Sequence, residues 1–569
     1  MTKSLESGAS QREINGEIPR NDSLRETAQY EMTTSTPIPN AEVDPEKATE
    51  YLSGLPLLFV AIGLALCAFC VGLDRSIVAT AVPKITAEFN SLNDVAWYGS
   101  SFLLTTCCFQ LLFGKLYAEL NITWVFLVAL GIFEVGSVVC AAAPNSVALV
   151  IGRAVAGIGA AGLMSGFFVI VAKSLPLEKR PVFTGAIGAC SGISQMIAPT
   201  LGGVFTDRLT WRWCFWINLP LGAATALTVF FFLKLPDSQR NDHTMNSIEN
   251  IKEFLNKLDL VGSLCLMPFL VCLLLALQWG GTTYAWSNWR VILCLCLFGV
   301  LFIAWIYIQY SKGDNATLPA RIIRQRSVGC GLLFSLCTCS SMFVVSYYGP
   351  IWFQVVKDTT AEKSGINFLA ALGPLIVASF AAGALTSHIG YYVPQMIVCA
   401  VITTVASGLL YMYELDTTTA FWAGSLALFG LGIGSGLQMP LVAVQTVLKG
   451  GDISMGTSAM VLSQSMGGSI FLAVGQNVFQ AKLVEELASR VPDLDPQIVI
   501  EHGATGLRTA ITEQFGSKTG QGVLEAYNLG LRQCFLVSII ISGLALFAAL
   551  GMEWISVKTN HGQESVKDV

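Results

Sequence analysis

The chain has 569 residues, of which 53% are hydrophobic and only 12% are charged, whereas soluble proteins carry about 25% charged residues. Its apolar runs are continuous and about 20 residues long, which argues against a transmembrane barrel and predicts an all-α polytopic membrane protein in a lipid bilayer. The net charge of −5, without a long basic stretch, argues against nucleic acid as a partner.

The chain opens with a polar segment, residues 1–53, that contains no apolar core of a signal peptide and predicts a disordered cytosolic tail. About fourteen spanning segments follow, and an even number places both termini on one side of the membrane. Lysine and arginine are denser in the loops on that side, which predicts cytosolic termini. The segments are expected to begin near Leu55, Trp97, Trp124, Val147, Val182, Cys214, Leu260, Val291, Val328, Ile366, Val393, Phe421, Ser454 and Cys534.

An internal repeat with a nearly constant offset divides these segments into two halves. Gly157-Ile-Gly159 has its counterpart in Gly430-Leu-Gly432, and Asp74 and Arg153 map near Ser341 and Leu426, so the second half lacks their charges. Repeated halves are typical of transporters with a substrate site near the midplane. The expected organisation is an N-terminal six-helix bundle (54–235), a cytosolic loop with two extra helices (236–311), a C-terminal six-helix bundle (312–556) with an extracytosolic loop (478–533), and a cytosolic tail (557–569).

Three ionisable residues lie within apolar segments, where a charge costs roughly 2.5–3.5 kcal/mol on insertion scales. Asp74 is predicted to carry a proton, or else to be a helix-end acid that pairs locally with Arg75. Arg153 is predicted to take part in proton coupling, or else to form a structural salt bridge. Glu134 is predicted to be a second proton carrier or a protonated packing residue.

Several other patterns favour packing over chemistry. Gly157–Gly162 spells a dinucleotide-binding fingerprint, but it lies inside a spanning segment, where small residues allow close helix contact. Cys67 and Cys70 have a redox spacing, yet one helix turn in hydrocarbon is a poor place for a metal or redox site, and we expect no metal and no cofactor. The four histidines show no ligand spacing, and we expect no enzymatic activity: His243, His388, His502 and His561.

Four motifs in order resemble the major facilitator superfamily, and more narrowly its fourteen-helix drug:proton antiporter branch. They are Leu73–Pro83, Leu149–Gly162 with Arg153, Ser194–Gly203, and Trp211–Gly222. The resemblance covers about residues 55–555. It implies two six-helix bundles plus two extra helices, proton coupling at the motif that contains Arg153, and a gating motif at Pro199, Gly202 and Gly203.

The sequence is most similar to fungal members that export toxins, through Phe113–Tyr117, Ala143–Asn145 and Leu177–Pro181. It departs from the family at Ala118, where an Asp of the loop motif would stand, and at Ala198, which replaces a Gly of the antiporter motif. The resemblance implies a multidrug or mycotoxin efflux pump that works as a monomer in the plasma membrane, with the vacuolar membrane as second choice.

We therefore expect a proton-coupled exporter of amphipathic small molecules. A proton-coupled importer of a siderophore, sugar or amino acid shares the fold and stays open, as does a receptor that has lost transport. Aromatic and amide side chains could line the substrate cavity, although many tyrosines and tryptophans are interface belt residues. The candidates are Gln195, Asn218, Tyr347, Tyr348, Trp352, Gln438, Gln445 and Gln464.

Overall fold

A computed structural model describes residues 51–91, 94–233, 257–281, 284–492, 499 and 517–558. The expected N-terminal tail falls outside these residues except for its last three positions. Most of the loop before the extra helices and nearly all of the C-terminal tail also lie outside the described residues.

Fourteen helices in the described part of the chain are long and apolar enough to cross a membrane, which confirms the expected fold class. The first half consists of α1 (Gly54–Phe89), α2 (Val95–Glu119), α3 (Ile122–Ala141), α4 (Ser146–Ser174), α5 (Arg180–Arg208) and α6 (Trp213–Phe232). The extra helices are α7 (Leu260–Trp279) and α8 (Trp289–Lys312). The second half consists of α9 (Arg326–Val355), α10 (Ala361–Ile389), α11 (Val393–Tyr411), α12 (Thr419–Val447), α13 (Asp452–Arg490) and α14 (Ser517–Leu550).

Successive helices alternate in direction, so each half has two ends. The backbone N–H of Leu52 donates to the oxygen of Ser174, which places the start of α1 beside the end of α4. The N–H of Val557 donates to the oxygen of Gly390, beside the turn between α10 and α11. We call this end, which carries both ends of the described chain, the tail side, and the opposite end the far side.

The two halves are packed against each other through glycines near the tail side. A Cβ added to Gly185 of α5 would lie 2.6 Å from the backbone oxygen of Ser379 in α10. In the reciprocal contact, a Cβ added to Gly383 of α10 would lie 2.5 Å from the oxygen of Pro181. Backbones this close leave no room for a side chain, so the tail ends of α5 and α10 are closed on each other.

The extra helices lie at the edge of the bundle. α7 packs on α2 and on α8, while α8 has only Val291 and Gln309 buried along its length. A helix that is apolar on nearly all faces and largely uncovered fits contact with lipid.

The segment 478–533, expected to be an extracytosolic loop, is partly helical, because α13 continues to Arg490 and α14 begins at Ser517. Apolar side chains alternate with charges at helical spacing, so that Leu483 and Leu487 are buried while ion pairs cover the outer face. Arg490 also pairs with Glu525 of α14 at 2.5 Å, which joins the two extensions. These turns escape a search for apolar runs because they are amphipathic.

Candidate functional site

A buried ion pair joins α1 and α4. Arg153 Nη1 donates to Asp74 Oδ2, and the two side chains are only 1% and 0% exposed. Arg153 Nε donates to the backbone oxygen of Tyr98 at 3.0 Å. Removing two charges from water costs several kcal/mol per ion and is offset only by good geometry and further hydrogen bonds. Asp74 thus pairs with Arg153 of a distant segment and not with its neighbour Arg75.

Asn218 completes the hydrogen bonding of the acid. Its Nδ2 donates to Asp74 Oδ1 at 3.0 Å and to Ser137 Oγ at 3.1 Å, and its Oδ1 accepts from the thiol of Cys70. Asp74, Ser137, Arg153 and Asn218, from α1, α3, α4 and α6, form what we call the charged cluster. Asn218 was expected in the substrate cavity, but its side chain is fully buried in this cluster.

Aromatic rings close the charged cluster on the side of Arg153. The guanidinium carbon lies 4.4 Å from the ring centre of Phe102 and 6.0 Å from that of Phe215. A ring face attracts a cation and excludes water, which strengthens the remaining electrostatic interactions.

Small residues in α3 and α4 bring the cluster together. A Cβ added to Gly159 would clash with the backbone nitrogen of Phe133, and a Cβ added to Gly136 would clash with that of Ala156. The glycines of Gly157–Gly162 therefore allow backbone contact between helices, the interpretation that the sequence favoured over nucleotide binding.

The start of α6 is fixed by an anchor at the far end of α1. Trp211 Nε1 donates to Glu88 Oε2 at 2.6 Å, and Arg212 Nη2 lies 2.9 Å from Glu88 Oε1. The Arg212 Nη2 also donates to the backbone oxygen of Ala143. The hydrogen bonds from Arg212 and Trp211 lower the pKa of Glu88. This anchor gives the Trp211–Gly222 motif a physical role, because it sets where Asn218 enters the bundle.

Glu134 lies on α3, one turn from Ser137. Both of its carboxyl oxygens are buried, and neither has a hydrogen-bond partner among the described residues. The carboxyl packs directly on Gly222 of α6, where an added Cβ would clash with Oε1. An ionised carboxylate without a partner is costly in such a place, so the surroundings favour the protonated form.

The antiporter motif lies in α5, which continues through Pro199 to Arg208. A Cβ added to Gly202 would clash with Thr80 Oγ1, so this glycine is required for contact between α5 and α1. Apart from its chain neighbours and the nearby backbone of its own helix, no atom of the described residues lies within 4 Å of a Cβ added to Gly203. Gly202 is therefore needed for the contact between helices, whereas Gly203 is not.

Two of the expected cavity residues are packed inside the second half. Trp352 is fully buried, and its Nε1 donates to Asn528 Oδ1 at 2.9 Å. Tyr348 is 2% exposed and packs on Phe479. These rings shape the second half from within.

Two of the expected glutamines lie at the contact between the halves. Gln445 Nε2 donates to the backbone oxygen of Phe168, and Arg180 Nη1 donates to the oxygen of Gln445 at 3.0 Å. Gln438 faces Gly188 of α5, where an added Cβ would lie 2.6 Å from Nε2. These bonds join the tail ends of the two halves.

Ala118, which stands where the family's loop motif has an Asp, supplies no acid to this contact. A Cβ added to Gly451 would lie 3.4 Å from that of Ala118, so two small residues meet there.

Three expected cavity residues are partly accessible. Gln195 of α5 and Gln464 of α13 are half-buried, and each donates to a backbone oxygen of its surroundings. Tyr347 of α9 is 47% exposed. The eight candidates therefore do not form one site: Asn218 belongs to the charged cluster, two aromatic residues to the core, and two glutamines to the contact between halves.

Sequence reasoning missed Ser137 and the backbone oxygen of Tyr98. Neither has a distinctive signal alone, because serine is common in spanning helices and backbone acceptors are invisible in sequence. Ser137 does correspond to Ser407 at the offset of the internal repeat, so the repeat contained a signal for it.

Comparison with known proteins identifies the family. A sequence profile described as Major Facilitator Superfamily matches residues 64–472. The "MFS-type efflux pump MFS1" of Trichophyton rubrum is 46% identical over 91% of this chain and 95% of its own length. The "Efflux pump aflT" of Aspergillus parasiticus is 44% identical over 90% of this chain and 98% of its own length.

Solved structures agree on the fold. The human organic anion transporter MFSD10 has a TM-score of 0.54 at 13% identity, covering 86% of this chain and all of that one. The proton:xylose symporter XylE has a TM-score of 0.53 at 12% identity, covering 88% and 97%. Identities this low show the fold alone. Profile, relatives and fold agree, and the chain is a transporter that belongs to the Major Facilitator Superfamily.

Proposed function

We propose that the protein exports amphipathic small molecules, such as drugs, toxins or secondary metabolites, in exchange for protons. The charged cluster carries this proposal, because an ion pair within spanning helices is expensive and is typical of ion coupling. The relatives reported above are named efflux pumps, which supports export. The fold supports alternating access, in which the two halves rock about a central site.

In this mechanism a proton from the far side neutralises Asp74. Arg153 then loses its counter-charge and keeps the backbone oxygen of Tyr98 as acceptor. Because a single buried charge is far less favourable than a pair, protonation changes the balance between the arrangements of the four helices. Glu134, one turn from Ser137 of the cluster, is proposed as the second proton carrier.

The closed tail side defines the state of the transporter. With cytosolic termini, as the lysine and arginine distribution favours, the central space would open to the outside. In this orientation the far side faces the proton source. We propose the plasma membrane as the location, with the vacuolar membrane second, and a monomer as the working unit without catalytic activity.

The substrate would bind in the central space between the two halves. Gln195, Tyr347 and Gln464 are proposed as contact residues because their side chains remain partly accessible. Pro199 and Gly202 are proposed to let α5 bend and slide along α1 as the halves move. Gly203 has open space beside it, and we propose that this space leaves room for α5 to move.

The test is retention of lipophilic toxins in a yeast strain that lacks its own pumps, with and without a protonophore. Wild type is compared with Asp74→Asn and Arg153→Ala at equal surface level. Asp207→Asn is the matched control, because it makes the same chemical change at a carboxylate that is 73% exposed. Lower retention in wild type and the control, lost with protonophore and in both cluster variants, is the expected result. Higher retention in wild type would mean import and would overturn export.

A further inference from the structure

Arg75 follows Asp74 in the chain but faces a different part of the molecule. Its guanidinium carbon lies 4.6 Å from the ring centre of Phe343 in α9. The thiols of Cys339 in α9 and Cys107 in α2 lie close to it. Arg75 therefore lies where the first half meets the second, and not in the charged cluster.

This cation has no anionic partner within the described part of the chain. It donates no hydrogen bond and forms no ion pair there, while Asp74 is used by Arg153 and Asn218. The side chain is half-buried, so part of it remains accessible. An arginine among thiols and an aromatic ring, within spanning helices, is costly unless something else compensates its charge.

The chemistry of the group indicates what could compensate it. A guanidinium is planar and always charged, and its N–H donors match the two oxygens of a carboxylate. Phe343 packs against the guanidinium of Arg75 and supplies no acceptor for its N–H donors. One turn further along α9, on the same side of the helix as Phe343, Tyr347 is 47% exposed.

We propose that Arg75 binds an acidic group, a carboxylate or an enolate, on the transported molecule, whose flat apolar body lies against Phe343 and Tyr347. The inference rests on the proposed function for the idea that a substrate occupies this space, and it narrows the substrate class to anionic amphipathic compounds. It gives Arg75 the role of a specificity residue, separate from proton coupling at the charged cluster.

Binding to purified protein tests this without depending on transport. The probes are 1-pyrenebutyric acid and its methyl ester, which share the flat body and differ in the anionic group. Energy transfer from tryptophan to pyrene reports binding to the full chain in lipid nanodiscs at pH 7. Wild type, Arg75→Gln and Arg75→Lys are compared, and Arg208→Gln serves as a control at an exposed arginine at the far end of α5.

The expected result is a Kd for the acid that is about tenfold or more weaker in Arg75→Gln, since a hydrogen-bonded charge pair is lost. The ester should bind equally to wild type and Arg75→Gln, Arg75→Lys should bind the acid with intermediate affinity, and Arg208→Gln should match wild type. If Arg75→Gln does not fold, the ratio of acid to ester affinity in wild type and Arg75→Lys decides.

Equal binding of acid and ester to wild type, no binding of the acid, or equal weakening of both probes in Arg75→Gln would overturn the inference. Failure of the proposed function looks different. In that case the acid binds through Arg75, but the protein in proteoliposomes moves neither probe in response to a proton gradient.

Discussion

The two halves place side chains at corresponding positions but fill them with different chemistry. In the first half, Asn218 of α6 bridges Asp74 of α1 and Ser137 of α3. In the second half, Ser538 of α14 bridges two serines at matching places, Ser341 of α9 at 2.6 Å and Ser407 of α11 at 2.9 Å.

The geometry is thus repeated while the charge is not. The position that matches Arg153 is near Leu426, which is buried and apolar. A neutral serine set joins the corresponding three helices in the second half, so this arrangement can form without charges. The comparison therefore supports the proposal that Asp74 and Arg153 serve coupling and not packing.

The largest effect is expected when one member of the ion pair is removed. Asp74→Ser or Arg153→Leu should each cost about 3–5 kcal/mol of stability, because an uncompensated charge remains buried. The double variant imposes the chemistry of the second half on the first and should recover most of that loss. Thermal unfolding in detergent, followed by tryptophan fluorescence, measures all three.

Proton-driven transport should be absent from the double variant even though its stability recovers. This separation of folding from coupling is what the comparison requires. A double variant that is no more stable than either single variant would show that the halves are not equivalent in packing, and it would break the comparison.

A smaller effect is expected at the bridging residues. Asn218→Leu removes a donor to a charged carboxylate and should cost about 1.5–3 kcal/mol, whereas Ser538→Ala breaks neutral bonds and should cost about 1 kcal/mol. The same unfolding measurement compares them. Equal losses would mean that the charge of Asp74 adds nothing to the bridge.

Glu134 of the first half and its counterpart Thr404 in the second half extend the comparison to transport. Thr404, which corresponds to Glu134 at the offset of the repeat, donates to the backbone oxygen of Ala400 at 2.7 Å and carries no charge. Glu134→Gln should leave stability within about 1 kcal/mol, because the carboxyl has no hydrogen-bond partner to lose in the part of the chain that the structure describes. If Glu134 carries a proton, the proton-driven flux should fall about tenfold, equivalent to about 1.4 kcal/mol.

The measurement is drug efflux from proteoliposomes against an imposed pH gradient, with Thr404→Ala as the control. An unchanged flux in Glu134→Gln would assign Glu134 to packing, the alternative that its sequence position left open.

The sequence predicted the fold class because about twenty consecutive apolar residues have few alternatives to a spanning helix. It drew attention to Asp74 and Arg153 because charges in hydrocarbon are costly. Their pairing could not be predicted, since they lie far apart in the chain and only the packing of α1 on α4 brings them together.

Polar side chains were harder to place than charges. Trp352 and Gln445 looked suited to a cavity by residue type, but one is a core residue and the other joins the two halves. An amide or an indole can satisfy its hydrogen bonds in either setting, so residue type does not decide. The segment 478–533 was expected to be a partly helical loop, and its helical turns around Leu483 prove to be extensions of the flanking spans.

The smallest effect concerns an anchor that both halves build between their first and last helices. In the first half the indole of Trp211 donates to the half-exposed acid Glu88, and in the second the indole of Trp352 donates to the buried amide Asn528. Hydrogen bonds from Arg212 and Trp211 lower the pKa of Glu88 below its ordinary value of 4.5. A lowered pKa means that the anchor adds stability above that value and loses it as the pH falls through the lowered pKa.

Glu88→Gln should therefore lower the melting temperature by no more than about 3 °C at pH 7, because the pair is solvent-screened. The difference from wild type should begin to close as the pH falls below about 4.5 and should vanish once the pH is below the lowered pKa, where folded Glu88 itself becomes neutral. Asn528→Leu breaks the neutral anchor, so its loss of melting temperature should not depend on the pH. Melting curves at pH values from 7 to about 3 measure both variants. A pH-independent loss in Glu88→Gln would mean that the charge of Glu88 does not contribute to the stability of its anchor. The two halves would then differ in charge at the charged cluster but not in how their anchors stabilise them.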